Sequence, residues 1–265
     1  MAAAPLKLYW WDAKPNFGDV LSRIVTGYAS GRAVVHAQPR DAELFAVGSI
    51  LQFAKRVWGK DTRPAHRPVI WGTGMMGALR NDFVAHVDIA MLRGPISAAV
   101  LGVKTESFAD PGVLTAEALG ERPVREDKVG LVLHHAQLGD PRVTALLQAQ
   151  PALHYIDVQQ SPEQVCREIG RCAHVISSSL HGLIVADSYG VPNTWLDPMQ
   201  HGRLKYYDYA AGVGRVMPLP LRHEDITAAL PGLATGDLPY ASAVAEAKER
   251  LIRDFPAHLK AGATH

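Results

Sequence analysis

The chain has 265 residues, of which 48% are hydrophobic, and a formal net charge of +1. This length suits one large domain or two small ones, and the hydrophobic fraction is sufficient for buried cores, which excludes a largely disordered chain. The nearly neutral charge argues against a dedicated nucleic-acid-binding protein, which would carry a basic face.

The cysteines and the N-terminal sequence indicate the cellular compartment that we expect for this protein. Cys166 and Cys172 are the two cysteines, and their spacing fits neither a zinc pair nor a redox pair, so we expect reduced thiols. Residues 1–11 lack the basic and apolar regions of a signal peptide, and no apolar run reaches the roughly 18 residues of a membrane span. We expect a cytoplasmic protein, and the sequence is compatible with peripheral contact at the inner face of the cytoplasmic membrane.

The chain begins with a strand-to-helix crossover. Residues 6–11 are predicted to form a strand and residues 20–28 a helix, with a turn-rich loop between them that contains Asn16, Gly18 and Asp19. Asp19 is a natural N-cap for the helix, and the alternative is that this loop contacts a polar substrate, since Gly18 would permit close backbone approach.

The same design repeats along the first half. Residues 43–51 and 68–74 each read as a strand with a glycine-rich end, and a further strand ends at Arg93. Pro95 then suits the first position of a helix, because its missing N–H would be unpaired there. Strands that alternate with helices predict a parallel sheet with helices on both faces.

A charged, aperiodic segment at residues 121–128 is the best linker candidate. A second α/β run follows, with strands predicted at 129–134, 153–158, 173–176 and 193–197 and helices at 141–150, 161–172, 180–189 and 240–259. We therefore predict an N-terminal Rossmann-like domain over residues 1–125 and a C-terminal Rossmann-like domain over 126–265, which ends in a helix. The two domains are expected to face each other across a cleft.

The strand-to-helix junction at residues 173–192 contains the largest group of candidate functional residues. A short buried strand ends at Ser177, Ser178 and Ser179, and the helix that follows contains His181. Open α/β sheets bind anions at such junctions, because unpaired backbone amides and the helix dipole point at the ligand. The alternative is a helix cap beside a core histidine.

Polar residues at the predicted strand ends should gather in the cleft. They are Asn16, Asp19, Arg93, Asp110, Ser177, Ser178, Ser179 and His181. Lys205 lies nearby in an aromatic segment with little apolar periodicity. An arginine and a lysine beside a helix start suit a doubly anionic ligand such as a phosphorylated carboxylic acid, although a surface ion pair for Arg93 and a solvated side chain for Lys205 are equally compatible.

Several chemistries fit the sequence poorly. It has no dinucleotide fingerprint, phosphate-binding loop, serine-hydrolase elbow or Asp-x-Asp element. His134 and His135 lack further ligands at metal spacing, so we interpret them as strand-end packing or polar cleft lining and predict no metal site. The Asp110-Pro111-Gly112 segment favours a turn over a catalytic base.

Six short motifs follow one another along the chain. They are Asn16-Phe17-Gly18-Asp19, Val47-Gly48-Ser49-Ile50-Leu51, Trp71-Gly72-Thr73-Gly74, Leu92-Arg93-Gly94-Pro95, Ala109-Asp110-Pro111-Gly112 and Ser179-Leu180-His181-Gly182-Leu183-Ile184. Their order resembles that of the polysaccharide pyruvyl transferase family, and most of all its short bacterial branch in exopolysaccharide assembly. The resemblance runs from about residue 10 to residue 214, which is most of the chain.

The resemblance implies a fold like that of two-domain GT-B-type glycosyltransferases, with phosphoenolpyruvate as donor substrate and no cofactor. It also implies that the Leu180-His181 pair binds the donor together with Arg93 and Lys205. One departure stands out, because many members have arginine where this chain has Ser179. Either Arg93, Lys205 and Arg203 supply the positive charge, or the donor is bound differently.

The reaction expected from this resemblance moves the pyruvyl group onto two hydroxyls of one sugar, which forms a cyclic ketal and releases phosphate. His181 is the candidate acid, and Asp19 or Asp110 would orient or deprotonate the acceptor. We further predict donor contacts from Arg93, Lys205, Leu180, Ser177, Ser178 and Ser179, and acceptor contacts from Asn16, Gly18 and Tyr206. The N-terminal domain is the expected acceptor side and the C-terminal domain the donor side.

The expected partners are phosphoenolpyruvate and a glycan or lipid-linked oligosaccharide, with no nucleic acid. Two other functions share this sequence pattern. One is a nucleotide-sugar glycosyltransferase on the same two-domain scaffold, which fold alone does not exclude. The other is a non-catalytic glycan-binding member of an assembly complex. Ser179, in place of the arginine of many members, is compatible with this alternative.

Overall fold

The computed structural model describes residues 4–14, 16–59 and 66–263. It confirms an α/β protein with two parallel sheets. Among the helices in these ranges, none combines the length and apolar character needed to cross a bilayer. The finer expectation of a GT-B-like arrangement of two domains stays a prediction, as does the boundary between residues 125 and 126.

The first sheet has the strand order β2-β1-β3-β4-β5 with every neighbouring pair parallel. Its strands are β1 (Leu6–Tyr9), β2 (Val34–His36), β3 (Leu44–Phe45), β4 (Val69–Trp71) and β5 (Asp88–Met91). The helices of this half are α1 (Phe17–Ser30), α2 (Leu51–Trp58), α3 (Pro95–Leu101) and α4 (Thr115–Leu119). Pro95 occupies the start of α3, as predicted.

The second sheet has the order β7-β6-β8-β9, again with parallel neighbours. Its strands are β6 (Glu126–Val132), β7 (Leu153–Ile156), β8 (Cys172–Ser177) and β9 (Asn193–Trp195). The helices are α5 (Pro141–Ala149), α6 (Pro162–Arg171), α7 (Leu180–Ser188), α8 (Leu204–Gly212), α9 (Ile226–Ala229) and α10 (Ala241–Arg253). The C-terminal helix therefore ends earlier than the predicted residue 259, where a short 3₁₀ turn replaces it.

The start of α1 corrects one prediction. Asn16 is the N-cap, because its Oδ1 accepts a hydrogen bond of 3.4 Å from the backbone N–H of Gly18. The helix begins at Phe17, three residues before the predicted start, since Phe17, Leu21 and Val25 form a buried stripe at helical spacing. Asp19 lies in the first turn and is not the cap.

The segment around Lys205 was expected to lack helical periodicity, and this was wrong. It forms α8, whose buried residues include Tyr206, Tyr209 and Ala210. Their spacing of three and four residues places them on one face of a helix. Tyr206 was predicted as an acceptor contact, whereas it belongs to the apolar stripe of this helix.

The two sheets pack around shared core residues. One continuous apolar cluster contains Leu21 and Val25 of α1 together with Leu183 and Ile184 of α7, all of them buried. Burial of this kind stabilises by roughly 25 cal/mol per Å² of apolar surface. The start of α1 is thereby held against the start of α7.

Candidate functional site

A cavity of about 300 Å³ lies where the starts of α1, α7 and α8 approach each other. It opens beside the carboxyl ends of strands from both sheets, which is where open α/β folds bind ligands. Its lining consists of Trp11, Asn16, Asp19, Gly48, Ser49, Ile50, Gln52, Phe53, Met76, His134, His135, Ser179, Leu180, His181, His201 and Lys205.

Asp19 brings a buried carboxyl group to this cavity from the first turn of α1. Its Oδ2 accepts a hydrogen bond of 2.5 Å from Asn16 Nδ2. Burial raises the pKa of Asp19 to about 7, although the hydrogen bond from Asn16 and the positive charge of Lys205 act in the opposite direction. A carboxyl group with this pKa can exchange a proton near neutral pH.

His181 reaches the cavity from the first turn of α7. In the described part of the chain its Nε2 atom is buried and has no hydrogen-bond partner. Burial lowers the pKa of His181 to about 3, and the positive charges of Lys205 and Arg93 act in the same direction. The unliganded site therefore holds a neutral imidazole with an unused polar atom.

Two glycines allow Asp19 and His181 to come together. A β-carbon at residue 18 would lie 1.9 Å from His181 Nδ1, so the imidazole packs directly on the backbone of α1. Gly48 has a φ of +96°, and a β-carbon there would lie 3.3 Å from Asp19 Oδ1 and 3.9 Å from His181 Cε1. Both glycines belong to the motifs identified from the sequence.

Lys205 lines the cavity from the first turn of α8 and is 8% exposed. Within the described ranges its ammonium group has no hydrogen-bond or ion-pair partner, and its Nζ lies 5.2 Å from the centre of the Tyr206 ring. Burial lowers the pKa of Lys205 to about 8, with the charge of Arg93 acting in the same direction and that of Asp19 opposing it. Because Lys205 is buried beside a second positive charge, this site favours an anionic ligand.

Arg93 lies behind the cavity and is not part of its lining. The side chain is fully buried, and its Nε donates to Asp208 Oδ2 at 3.1 Å. Its terminal nitrogens donate to Ser49 Oγ at 2.7 Å and to the carbonyl of Met75 at 2.9 Å. Arg93 thus links α8 to two loops of the first sheet, and the alternative of a surface ion pair is wrong.

A sequence model of the polysaccharide pyruvyl transferases matches residues 16–199, which contain most of the cavity lining. The chain belongs to the polysaccharide pyruvyl transferase family. Membership in this family indicates a transferase.

Similar proteins include the succinoglycan biosynthesis protein ExoV of Rhizobium meliloti (strain 1021), with 26% identity over 231 residues, or 83% of this chain and 70% of the relative. The uncharacterized protein L143 of Acanthamoeba polyphaga mimivirus is 26% identical over 159 residues, or 55% of each chain. A solved structure of the functionally uncharacterized protein KP1_0663 from Klebsiella pneumoniae aligns with a TM-score of 0.49 at 14% identity, over 82% of this chain and 92% of that one.

The three serines at the end of β8 divide into two structural roles. Ser177 Oγ donates to the carbonyl of Val132 at 3.0 Å, and Ser178 Oγ donates to Gln137 Oε1. Neither of these hydroxyls lines the cavity, because both hold the end of β8 in place. Of the three serines, Ser179 lines the cavity, and its side chain makes no cap hydrogen bond to α7.

Three further residues predicted at the site, namely Gly18, Asp110 and Tyr206, lie outside the lining, and Gly18 instead provides the backbone on which the His181 ring packs. Asp110 caps a 3₁₀ turn by accepting from the N–H of Gly112 at 2.9 Å, which agrees with the turn interpretation. Burial raises the pKa of Asp110 to about 7, with the charge of Arg93 opposing that shift. Tyr206 is fully buried, donates its hydroxyl to the carbonyl of Ser178 at 2.6 Å and stacks on Trp195, so its ring is not presented to a sugar.

The structure brings Asn16, Asp19, Leu180, His181 and Lys205 to the cavity as predicted neighbours. Sequence reasoning missed other lining residues, namely Trp11, Ile50, Gln52, Phe53, Met76 and His201. Ser49 and Ile50 follow Gly48 in a quoted motif, so the strand-end rule would have found them. His201 lies in an irregular segment without any pattern that marks it.

Proposed function

We propose that this protein transfers the pyruvyl group of phosphoenolpyruvate to two hydroxyls of one sugar in an exopolysaccharide unit, forming a cyclic ketal and releasing phosphate. Family membership supports pyruvyl transfer. The relative named as a succinoglycan biosynthesis protein supports a role in exopolysaccharide synthesis.

The observation that carries this proposal is that the buried Lys205 side chain and the buried, unpaired Nε2 of His181 line one cavity. Burial disfavours the charge on Lys205 and leaves His181 Nε2 without a hydrogen-bond partner in the described chain, and both effects cost free energy. A ligand with a carboxylate and a phosphate would provide the missing partners. Phosphoenolpyruvate has both groups on a three-carbon skeleton that suits a 300 Å³ cavity.

The proposed chemistry is balanced in protons. A proton adds to C3 of the enol, which becomes a methyl group, and positive charge develops at C2. One sugar hydroxyl attacks C2, the bond from C2 to the phosphate oxygen then breaks, and the second hydroxyl closes the ring. Of the two protons lost by the hydroxyls, one replaces the proton taken up at C3 and the other leaves with phosphate.

His181 and Asp19 are the proposed acid and base. The negative charge of the bound donor would raise the pKa of His181 from about 3, so the imidazole would gain its proton only once the donor is in place. Asp19, with a pKa of about 7, would accept the proton of the attacking hydroxyl. The two groups flank Gly48, which is consistent with action on adjacent atoms of one intermediate.

Arg93 would support the donor site from behind. Its hydrogen bond fixes Ser49 Oγ, a lining residue, and its ion pair with Asp208 holds the helix that carries Lys205. Backbone N–H groups at the start of α7 would add to the positive potential. This arrangement would compensate for Ser179 standing where many members have arginine.

The direct test is to incubate the protein with phosphoenolpyruvate and a panel of glycans, including lipid-linked oligosaccharides, and to measure phosphate and product mass. We expect phosphate release together with the mass gain of a pyruvate ketal. Release of a nucleoside diphosphate from a sugar nucleotide would instead favour a glycosyltransferase. Glycan binding without turnover would favour a non-catalytic assembly protein.

A further inference from the structure

One wall of the cavity is a row of rings that pack against one another with their planes tilted. The ring centres of Trp11 and His135 are 5.9 Å apart, those of His135 and His134 are 4.3 Å apart, and those of His134 and His201 are 4.2 Å apart. The interplanar angles are 33°, 32° and 36°. All four residues line the cavity, and we call the three histidines the imidazole wall.

The packing of the rings limits which atoms the imidazole wall can offer. Neighbouring rings pack against one another at tilts of 32° to 36°, which leaves ring edges, where the nitrogens lie, for contact with a ligand. His134 Nδ1 accepts a hydrogen bond of 3.3 Å from the N–H of Ala136, which leaves its Nε2 as the proton-bearing nitrogen of a neutral ring. In the described part of the chain, His201 Nε2 is buried without a partner.

The surroundings keep these rings uncharged. Burial lowers the pKa of His134 to about 2, with Lys205 and His135 acting in the same direction. Burial likewise lowers the pKa of His135 and of His201, and Lys205 contributes to both. A neutral imidazole has one donor and one acceptor, which matches a sugar hydroxyl and gives no net charge to an anion. Within the described ranges no group of His, Cys, Asp and Glu side chains is arranged to hold a metal ion.

We infer that the imidazole wall is the acceptor subsite and that it holds an uncharged pyranose ring through hydrogen bonds from the ring edges to the sugar hydroxyls. This inference rests on the proposed function, in which Lys205 binds the donor. It places acceptor contacts on His134, His135 and His201 of the second half, whereas the sequence suggested the first half as the acceptor side.

The test uses the full chain with three uncharged probes, the methyl pyranosides of galactose, glucose and mannose, in the presence of phosphoenolpyruvate. Saturation-transfer NMR measures sugar binding, and calorimetry measures phosphoenolpyruvate binding separately. His135→Phe keeps an aromatic ring in the row and removes its nitrogens. It should therefore weaken sugar binding about 5- to 10-fold, which corresponds to the net free energy of one hydrogen bond. Phosphoenolpyruvate affinity should stay within about twofold, since that donor is assigned to Lys205.

Three further variants test whether the loss of sugar binding is due to the ring nitrogens of the imidazole wall. His135→Gln restores a neutral donor and acceptor and should recover much of the sugar binding, and His201→Phe should repeat the loss. His258→Phe, at an exposed histidine outside the cavity, should match the wild type. The inference is overturned if the wild type binds none of the three pyranosides, or if His135→Phe weakens phosphoenolpyruvate instead of sugar. Failure of the wild type to bind phosphoenolpyruvate at all would instead count against the proposed function.

Discussion

Two buried polar clusters of this protein differ in whether their polar atoms have hydrogen-bond partners. The first, which we call the site cluster, consists of Asp19, His181 and Lys205, and the second is centred on the Asp187 carboxylate. Asp187 accepts hydrogen bonds from Asn193 at 2.7 Å, from the hydroxyls of Tyr209 and Tyr240 at 2.8 Å each, and pairs with Arg215 at 3.4 Å.

Burial does not distinguish the clusters, because Asp187 is 1% exposed and His181 is 8% exposed. Hydrogen bonding does distinguish them. The carboxylate of Asp187 has a partner on each oxygen, whereas the buried His181 Nε2 has none in the described chain. Buried polar groups are normally satisfied, so this unpaired atom in the cavity makes the site cluster the better candidate for ligand binding.

The largest expected effect on the site cluster comes from His181→Ala. Phosphate release from phosphoenolpyruvate with an accepted glycan should fall by ~10²–10⁴-fold, because the proton donor is lost. The free energy of unfolding should fall by only about 1 to 2 kcal/mol.

The matched control is His174→Ala, at a buried histidine whose two nitrogens already contact the carbonyl of Ala234 and Thr194 Oγ1. This change should lower stability and leave the turnover of the folded protein unchanged. Wild-type turnover in His181→Ala would show that the imidazole is not the acid.

Asp187→Ala should produce the opposite pattern. It leaves Arg215 buried without its carboxylate, and breaking a buried ion pair in this way costs about 3–5 kcal/mol of unfolding free energy. Urea unfolding measures this loss, and turnover per folded molecule should stay at the wild-type value. Tyr240→Phe removes one of the hydroxyls that donate to Asp187 and should lower the free energy of unfolding by about 1 kcal/mol. This variant can be measured even if Asp187→Ala does not fold.

Asp19→Asn should stabilise the protein while lowering its activity. The folded-state pKa of Asp19 is raised from 3.8 to about 7, so the folded state holds a proton that the unfolded state releases between these values. Wild-type stability therefore declines as pH rises from about 4 to 7, and the variant lacks this decline. Its advantage should grow across that window to on the order of 2 to 4 kcal/mol and then stay constant.

Urea denaturation at several pH values between 4 and 8 measures this difference. Asp12→Asn, at an exposed carboxylate that precedes the same helix, is the control and should follow the wild-type curve. A constant difference between Asp19→Asn and the wild type over this range would contradict the assigned pKa.

The smallest of these effects is expected for Gly18→Ala. The new β-carbon would lie 1.9 Å from His181 Nδ1, so the imidazole must move, and misplacement on this scale should lower turnover by roughly 10- to 100-fold. Gly27→Ala on the same helix meets its nearest atom at 3.6 Å and should leave turnover unchanged. Equal activity of the two variants would mean that the packing of α1 on His181 does not position the imidazole.

The sequence was sufficient for the alternation of strands and helices and for the residues that immediately follow strand ends. Asp19 and His181 were found because each lies at the start of a helix after a parallel strand, and that topology brings both to one cleft. The helix at 161–172 was predicted from local residues alone and is present as α6, whose N-cap is Ser161, with its Oγ accepting from the N–H of Gln164.

Other features depend on contacts between segments that are distant along the chain. The ion pair of Arg93 with Asp208 joins residues 115 positions apart, and no local pattern indicates that it withdraws the guanidinium from the cavity. The rings of His134 and His201 likewise pack against each other only in the folded chain. The burial of Tyr206 was missed because α8 was not recognised as a helix.

The position of α8 has a mechanical consequence. Its backbone contacts the first half so closely that a β-carbon at Gly94 would lie 1.8 Å from the carbonyl oxygen of Asp208. Tyr206 on the same helix is bonded to Ser178 of the second half. Helix α8 therefore contacts residues that precede and follow residue 125, and any separation of these two parts of the chain would have to break one of these contacts. We expect a ligand to enter the existing cavity without a change in how these two parts pack.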